Sequence, residues 1–314
     1  MKVPFSPARN LLQKTVEVRG DLVTYRFGNG LVVRTETLGK RDPLRILPLG
    51  GPQSTLMNYM LNAPERIQGR RVLEPFAGSG VLGLMALKVG AAAADFVDLN
   101  PRAGDFQREN ARLNGFGLER FRSYVEGIET FQADCGYDLL FANPPFVPTP
   151  EGIAGTLTSN GGPEGNRLAA ILLSRLDDLL APSGEAFLYV FQMMKDGKPL
   201  VLDLAQELVT SRSIEASPTQ AEPIAFPVFV DAYLEVFPGQ KDAIRAWAAA
   251  LTGRCGEGIG LMHYVVHVGP RRAGPTACRV VDNLEEKYGE GFLSRYDARE
   301  FAIARISENL LAVP

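Results

Sequence analysis

An apolar strand, a glycine turn and an apolar helix follow one another in the first third of the chain. The strand covers residues 71–74, and the helix covers residues 81–89 and ends at Gly90. Between them, Gly78 and Gly80 allow the backbone to turn sharply and to approach a ligand closely. The helix N-terminus then faces any negative group that binds at the turn. This unit predicts an α/β fold whose ligand binds at the end of a sheet strand.

Strand and helix patterns continue to alternate through the middle of the chain. Helical patterns at residues 101–114 and 167–180 alternate with strands at residues 137–142 and 185–192. This alternation implies parallel strands joined by right-handed crossovers. We therefore predict an α/β fold with a Rossmann-like, seven-stranded, mostly parallel sheet that carries helices on both faces.

Two polar residues end strands elsewhere in this pattern. Asp98 follows Gly78 by twenty positions, where its carboxylate can accept hydrogen bonds from the ribose hydroxyls of a bound nucleoside. Asn143 ends the strand at residues 137–142. Ligands of parallel sheets bind at the carboxyl ends of the strands. The glycine turn, Asp98 and Asn143 are therefore predicted to lie at one nucleoside site.

Asn143 begins an Asn-Pro-Pro-Phe sequence, which is typical of a rigid pocket for a flat amino group. Pro144 and Pro145 lack N–H donors and fix φ, so nearby carbonyl groups remain available as acceptors. With the carboxamide oxygen of Asn143, they can bind both hydrogens of an NH2 group. Phe146 can stack on the plane that bears this nitrogen. In isolation, the same four residues also fit a proline-terminated strand with a core phenylalanine.

Two nucleoside cofactors compete for the glycine turn. Gly78-x-Gly80-x-x-Gly83 with Asp98 also satisfies the dinucleotide fingerprint, which is weak evidence by itself. Glu74 favours S-adenosylmethionine, because a carboxylate there repels a pyrophosphate and attracts the methionine ammonium. The chain contains no Gly-Lys-Ser/Thr, so a P-loop kinase or ATPase is not supported.

The chain resembles the class I S-adenosylmethionine-dependent methyltransferases. Within them it is similar to the NPPF/Y amino-methylating group, which includes the HemK-type glutamine methyltransferases and related ribosomal RNA guanine or adenine methyltransferases. The resemblance covers roughly residues 50–195 and rests on four matches in order: Glu-Pro-Phe-Ala-Gly-Ser-Gly at 74–80, Val-Asp-Leu-Asn-Pro-Arg-Ala at 97–103 with Arg-Glu-Asn-Ala-Arg-Leu-Asn-Gly at 108–115, Asn-Pro-Pro-Phe at 143–146, and Gly-Gly-Pro-Glu-Gly at 161–165.

The resemblance implies a set of site residues. Asn143, Pro144 and Phe146 present the substrate nitrogen. The cofactor is bordered by three short groups of residues: Glu74, Phe76, Ala77, Gly78, Ser79 and Gly80; Asp98, Leu99 and Asn100; and Glu126, Gly127 and Ile128. The last group departs from the family, which usually carries Gly-Asp there to meet the adenine amino group. Glu126, Glu129 or backbone and apolar packing can serve instead. The helical N-terminal bundle of the HemK type is also missing.

The predicted activity is methyl transfer from S-adenosylmethionine to a planar amide or amino nitrogen. The acceptor is a protein side-chain amide, a nucleobase or a small-molecule amine. Three alternatives remain: an enzyme that cyclises the same cofactor without methylating, an NAD-dependent oxidoreductase, and a catalytically idle binding module. The intact Asp98 and Asn-Pro-Pro-Phe disfavour the idle module.

The flanking regions predict accessory elements. Residues 1–62 form an accessory region with a β-hairpin, in which strands at 22–27 and 31–37 meet at Asn29-Gly30, a typical type I′ turn pair. Residues 63–314 form the methyltransferase domain. Within it, residues 223–258 are a candidate lid whose aromatic residues more often belong to a core than to a pocket.

Two further segments of this domain have a predicted conformation. An extended segment is predicted within residues 225–237, and a strand, the last of the sheet, is predicted at residues 260–268.

Charge and cysteine content indicate the compartment and exclude some partners. The net charge of −3 and pI near 5.6 give no overall attraction to nucleic acid. Three cysteines without a CxxC pair, and no apolar segment of membrane-spanning length, predict a cytoplasmic protein with no membrane partner. His263 and His267 are predicted to be structural rather than metal ligands, and Glu164 to be solvated in its loop, with selection of a cationic or amide substrate as the alternative.

Overall fold

The computed structural model describes residues 12, 14–153, 155–220, 222–288 and 297–310. The strands are β1 Lys14–Arg19, β2 Leu22–Phe27, β3 Val32–Glu36, β4 Arg71–Pro75, β5 Ala93–Asp98, β6 Phe121–Val125, β7 Tyr137–Ala142, β8 Leu180–Lys195, β9 Lys198–Pro199, β10 Arg212–Pro218, β11 Ile224–Ala225, β12 Gly260–Arg271 and β13 Ala277–Val280. The α-helices are α1 Gly51–Asn62, α2 Val81–Val89, α3 Pro101–Leu113, α4 Arg167–Leu179, α5 Leu200–Leu208, α6 Phe226–Val236, α7 Lys241–Cys255, α8 Leu284–Tyr288 and α9 Ala298–Leu310.

The main sheet is mixed, and its central strands are parallel. Its order is β13-β10-β12-β8-β7-β4-β5-β6, with the two-residue strands β9 and β11 paired to β8 and β12. The pairs from β8 to β6 along this order are all parallel, whereas β12 is antiparallel to both β8 and β10. The predicted α/β class with a mostly parallel sheet is confirmed. The sheet has ten strands rather than seven, because β13 extends the edge and two short strands add to it.

Both faces of the sheet are covered. Successive side chains of a strand point to opposite faces, so neighbouring apolar residues enter different cores. Val72 belongs to a core with α1 and α2, and the neighbouring Leu73 belongs to a second core with α4 and α5. Phe141 and Leu140 divide between the two cores in the same way. Buried side chains on both faces explain why the central strands read as continuous apolar runs.

The N-terminal region forms a three-stranded antiparallel sheet, β1-β2-β3. The predicted hairpin is β2 with β3, but its turn is not type I′. Only Gly30 in that turn has a positive φ, +80°, and the Phe27 amide donates to the carbonyl of Leu31, which leaves a three-residue loop. The third strand, β1, was not predicted; all its side chains are exposed, so they lack a buried face.

Helix α3 connects the small sheet to the large one. The Asn114 side chain accepts a hydrogen bond from the Val32 amide at 2.8 Å and donates to its carbonyl at 2.6 Å. Asn110 makes the same two contacts with Arg34, at 2.8 and 3.0 Å. These asparagines satisfy the edge of β3, which therefore lies against the helix that follows Asp98.

Helix α6 corrects the prediction of an extended segment within residues 225–237. Phe226, Phe229 and Tyr233 recur at helical spacing and are buried, and Pro227 lies in the first turn, where a proline is tolerated. The run is rich in β-branched and aromatic residues, which favour strands. Burial of this aromatic face against Trp247 of α7 and Phe191 of β8 overrides that preference.

Candidate functional site

The turn between β4 and α2 has the conformation that its glycines allow. Gly78 and Gly80 have φ of +50° and +77°, and Phe76 also has a positive φ, +57°. A Cβ added at Gly78 meets nothing within 4 Å, so this side of the turn is open to a ligand. The Ala77 amide donates to the Val97 carbonyl at 3.2 Å, which ties the turn to β5.

Glu74 lies beneath the first turn of α2. One carboxylate oxygen accepts from the Leu82 amide at 3.1 Å, and the other accepts from the Gly83 amide at 2.7 Å. The side chain is 2% exposed, and burial raises its pKa to about 8, with a smaller contribution from the charge of Asp98. Glu74 is therefore largely protonated at neutral pH until a cation lies beside it.

Asp98 joins the glycine turn to the start of α3. One oxygen accepts from the Gly78 amide at 2.7 Å and the other from the Asn100 amide at 2.8 Å. Burial raises its pKa, and these two amide contacts oppose that effect. Each carboxylate oxygen can accept a second hydrogen bond. The side-chain oxygen of Asn100 caps α3 by accepting from the Arg102 backbone amide. The side-chain nitrogen of Asn100 donates to the Leu44 carbonyl at 2.8 Å.

These elements enclose a cavity of about 660 Å³, which we call the large cavity. From the predicted cofactor group it is lined by Glu74, Phe76, Ala77, Gly78, Ser79, Asp98, Leu99, Asn100, Glu126, Gly127 and Ile128. Asn143 also lines it. The predicted cofactor residues therefore lie together, with one exception.

Gly80 is the exception, because it does not line the large cavity. It is buried immediately before α2, and a Cβ there would lie 3.2 Å from Gln107 and 3.3 Å from Phe96. Gly80 therefore permits the turn to pack against β5 and α3. Whether Gly80 borders the cofactor stays a prediction.

A smaller cavity of about 180 Å³, which we call the small cavity, adjoins the large one. Asn143, Gln53 and Thr158 line both cavities, whereas Pro144 and Phe146 line only the small one. The Oδ1 atom of Asn143 is buried and accepts no hydrogen bond from any residue that the structure describes. An unpaired buried acceptor is costly, and a donor from a ligand would satisfy it.

Phe146 packs against the core behind the small cavity. Its ring lies 5.6 Å from that of His263 in an edge-on arrangement and 6.2 Å from that of Tyr189. His263 is 1% exposed, and burial, followed by the nearby charge of Arg305, lowers its pKa well below the usual range. A neutral imidazole therefore supports the ring.

Helices α6 and α7, which contain most of the predicted lid, hold the loop after Asn-Pro-Pro-Phe. The Tyr233 hydroxyl donates to the Pro148 carbonyl at 2.6 Å, and the Trp247 indole donates to the Pro163 carbonyl at 2.9 Å. Phe226, Phe229, Tyr233 and Trp247 are buried and line neither cavity, so they belong to the core. Glu164 forms an ion pair with Arg254 at 2.6 Å rather than being simply solvated.

Several lining residues were missed because they lie far from the motifs in sequence. Arg45, Ile46, Leu47 and Gln53 come from the connector and α1, and cover the large cavity from the N-terminal side. Others lie at residues 155–160 and at the start of α4. The only sequence signal was the Pro-Leu-Gly-Gly-Pro run at residues 48–52, which marks the start of α1 close to the cavities.

The two histidines of β12 have aromatic and acidic neighbours. His263 stacks on Phe191 at 4.3 Å, while His267 stacks on Phe187 at 4.5 Å and contacts the Glu185 carboxylate at 2.7 Å. Within the described part of the chain, no three His, Cys, Asp or Glu side chains group as metal ligands. Likewise, none of the helices in that part combines the length and the hydropathy needed to cross a membrane.

Comparison with known proteins extends the motif evidence. Residues 53–158 match the family described as "Conserved hypothetical protein 95". A protein of Methanocaldococcus jannaschii named "Putative protein N5-glutamine methyltransferase" is 26% identical over 186 residues, 58% of this chain and 83% of that protein. The ribosomal protein L11 methyltransferase of Methylococcus capsulatus is 32% identical over 130 residues, 41% of this chain and 42% of that protein. In these comparisons the chain is similar to the class I S-adenosylmethionine-dependent methyltransferases.

These similarities support a methyltransferase with S-adenosylmethionine as its cofactor. A solved S-adenosylmethionine-dependent methyltransferase from Agrobacterium tumefaciens is 16% identical, and the match covers 81% of this chain and 72% of that one with a TM-score of 0.49. The chain spans only about two-fifths of the length of the Methylococcus relative. The NPPF/Y subgroup and the domain boundaries stay predictions.

The residues of the large cavity fit this cofactor. Its volume lies within the roughly 300–1,000 Å³ that is typical of cofactor pockets. Asp98 can accept from ribose hydroxyls, and the carboxyl of Glu74 can face an ammonium group. Glu126 and Glu129, in the segment after β6, both line this cavity. Contact of either residue with the adenine amino group stays a prediction.

Proposed function

We propose that this methyltransferase acts on a planar amide or amino nitrogen that enters the small cavity and meets the cofactor at Asn143. The observation that carries the proposal is the buried Oδ1 atom of Asn143, which has no hydrogen-bond partner among the described residues and belongs to a residue that lines both cavities. An N–H donor on the acceptor satisfies this atom. The same contact aims the nitrogen lone pair toward the large cavity.

S-adenosylmethionine supplies an activated methyl group, whose bond to sulfur breaks with its electron pair staying on sulfur as the nitrogen lone pair forms the new N–C bond. Asn143 orients the nitrogen and stabilises the positive charge that develops on it, because its carboxamide oxygen is already in place. Pro144 and Pro145 present no competing N–H donors beside it. Phe146 forms an apolar wall for a flat group.

The small cavity favours an acceptor whose reacting nitrogen is uncharged before the reaction. The described residues that line it include no Asp, Glu or His side chain. A protonated alkyl amine would require a base to release its lone pair, whereas an amide or exocyclic ring amine can lose its proton to water after transfer. The proposal therefore favours these planar nitrogens over an alkylammonium group.

The names of the relatives favour a protein side-chain amide. One is named as an N5-glutamine methyltransferase and another as a ribosomal protein methyltransferase. We therefore propose that this chain belongs to the NPPF/Y group, with a protein amide as the first candidate acceptor. A nucleobase and a small-molecule amine are the other outcomes that the experiment distinguishes.

The test uses S-adenosylmethionine with a labelled methyl group and a cell extract divided into protein, RNA and small-molecule pools. We expect label in one pool and about a hundredfold slower transfer by Asn143→Ala, with nearly unchanged cofactor affinity. Asn283→Ala is the matched control, because Asn283 lies outside both cavities. Equal rates for Asn143→Ala and wild type would show that Asn143 only ends its strand.

Product analysis separates the remaining activities. Methyl transfer yields S-adenosylhomocysteine, and cyclisation of the cofactor yields methylthioadenosine. Hydride transfer changes the absorbance of a nicotinamide instead. Label found only in methylthioadenosine, with none on any other molecule of the three pools, would replace the proposal with the cyclase.

A further inference from the structure

Arg305 brings a positive charge to the small cavity. It lies on α9, far from Asn143 in sequence, and both residues line this cavity. Among the described lining residues, Arg305 is the only one that carries a formal charge. The volume of about 180 Å³ is below the roughly 300 Å³ of the smallest drug-sized pockets. A ligand group that reaches Asn143 therefore comes close to the guanidinium.

The position of Arg305 is fixed by aromatic packing. Its guanidinium lies over the ring of Phe301, 5.1 Å from the centroid. Phe301 is buried, and its ring lies edge-on to His263 at 5.3 Å and to Phe191 at 5.8 Å. Arg299 adds an ion pair between α9 and Glu235 of α6. Helix α9 therefore holds the guanidinium on the same aromatic cluster that supports Phe146.

The balance of charged residues differs between the two cavities. The large cavity is lined by four acidic residues, Glu74, Asp98, Glu126 and Glu129, and by two arginines, Arg45 and Arg167. The small cavity has no acidic lining residue among those described. A guanidinium has five N–H donors, so Arg305 can keep its contacts within the protein and still bind an anion.

We propose that Arg305 determines acceptor specificity by binding an anionic group, a carboxylate or a phosphate, that the acceptor carries beside its planar nitrogen. This inference rests on the proposed function, because it takes the small cavity as the acceptor site. The planar fork of the guanidinium matches both anions, which offer two or more oxygens. Asn143 then recognises the reacting nitrogen, and Arg305 recognises the charged group next to it.

The test measures binding rather than methyl transfer, in protein saturated with S-adenosylhomocysteine. Two pairs of probes separate the two anions. N-acetyl-L-glutamine is compared with N-acetyl-L-glutaminamide for the carboxylate, and adenosine 5′-monophosphate is compared with adenosine for the phosphate. We expect the anionic member of one pair to bind about tenfold or more tightly than its neutral partner. The pair that shows the preference identifies the anion.

Variants of Arg305 decide whether this residue is responsible. In Arg305→Gln the two members of the responsive pair should bind within about twofold of each other, and Arg305→Lys should restore part of the preference. Arg299→Gln is the matched control, because Arg299 is on the same helix and does not line the cavity. Neither Arg305 variant should change S-adenosylhomocysteine affinity, since Arg305 does not line the large cavity.

Two outcomes would overturn the inference. One is wild-type protein that binds neither anionic probe more tightly than its neutral partner. The other is a preference that survives in Arg305→Gln, which would leave Arg305 as a packing residue on Phe301. Neither outcome bears on the labelled-methyl experiment with Asn143→Ala, so the two proposals fail separately.

Discussion

Replacing Glu74 with Gln tests whether this buried carboxyl gives up its proton when the cofactor binds. A pKa of about 8 leaves about nine in ten Glu74 side chains protonated at pH 7. A cation within about 4–6 Å lowers a carboxyl pKa by about one to three units. The methionine ammonium in the large cavity should therefore cause the release of about 0.4 to 0.9 proton per bound cofactor.

The direction of the effect follows from linkage. Binding of a cation favours the ionised carboxyl, so protons leave the protein, and affinity rises with pH up to the pKa of the free protein. The cofactor's own amino group, with a pKa of about 7.7–8.0, is mostly ammonium at pH 7, so it contributes only a small uptake. The net proton release on cofactor binding should therefore be smaller above pH 9 than at pH 7, because Glu74 is already ionised there.

Calorimetric titration in buffers of different ionisation enthalpy measures the number of protons released. S-adenosylhomocysteine keeps the ammonium and lacks the sulfonium charge, so it should give a similar release. Glu74→Gln should release close to none and bind the cofactor more weakly. Gln also leaves one of the Leu82 and Gly83 amides without its acceptor, which costs about 1–3 kcal/mol of stability. Proton release that is absent in wild type, or unchanged in Glu74→Gln, would refute the assignment.

Two further substitutions test residues that shape the site. Asp98→Ala should weaken S-adenosylmethionine binding, measured by calorimetry, by about 1.5–3 kcal/mol because charge-assisted hydrogen bonds are lost, and Asp98→Asn should weaken it less. A tighter affinity for NAD than for S-adenosylmethionine would contradict this role. Gly83→Ala should lower the free energy of unfolding, measured in urea, by about 1–3 kcal/mol because the new Cβ would clash with the Phe96 ring. Gly39→Ala is the control, because a Cβ there would meet nothing within 4 Å. Equal stability of the two variants would show that the helix can shift away from its strand.

Much of the frame was predictable because its signals are local. The strand, turn and helix around Gly78 are encoded by apolar runs and glycines that are adjacent in sequence. Asp98 and Asn143 each end a strand, and parallel strands bring their carboxyl ends to one edge. These two residues and the turn line one cavity, as predicted.

The errors have physical causes as well. The segment of α6 has the composition of a strand, and only burial of its aromatic face made it a helix. Gly80 belongs to the same glycine motif as Gly78, but a Cβ on Gly80 would face Phe96 and Gln107. Local patterns give the type of an element more readily than the direction in which one residue faces.

The sequence by itself determined the α/β class, the strand-end positions of Asp98 and Asn143, and the family resemblance. Only the tertiary structure decided what surrounds them. Arg305 and the connector residue Arg45 reach the cavities because segments that are distant in sequence pack together. The pKa of Glu74 also depends on burial by the whole fold. Such long-range packing and desolvation leave no periodic signal in the chain, so they emerge only when the elements come together.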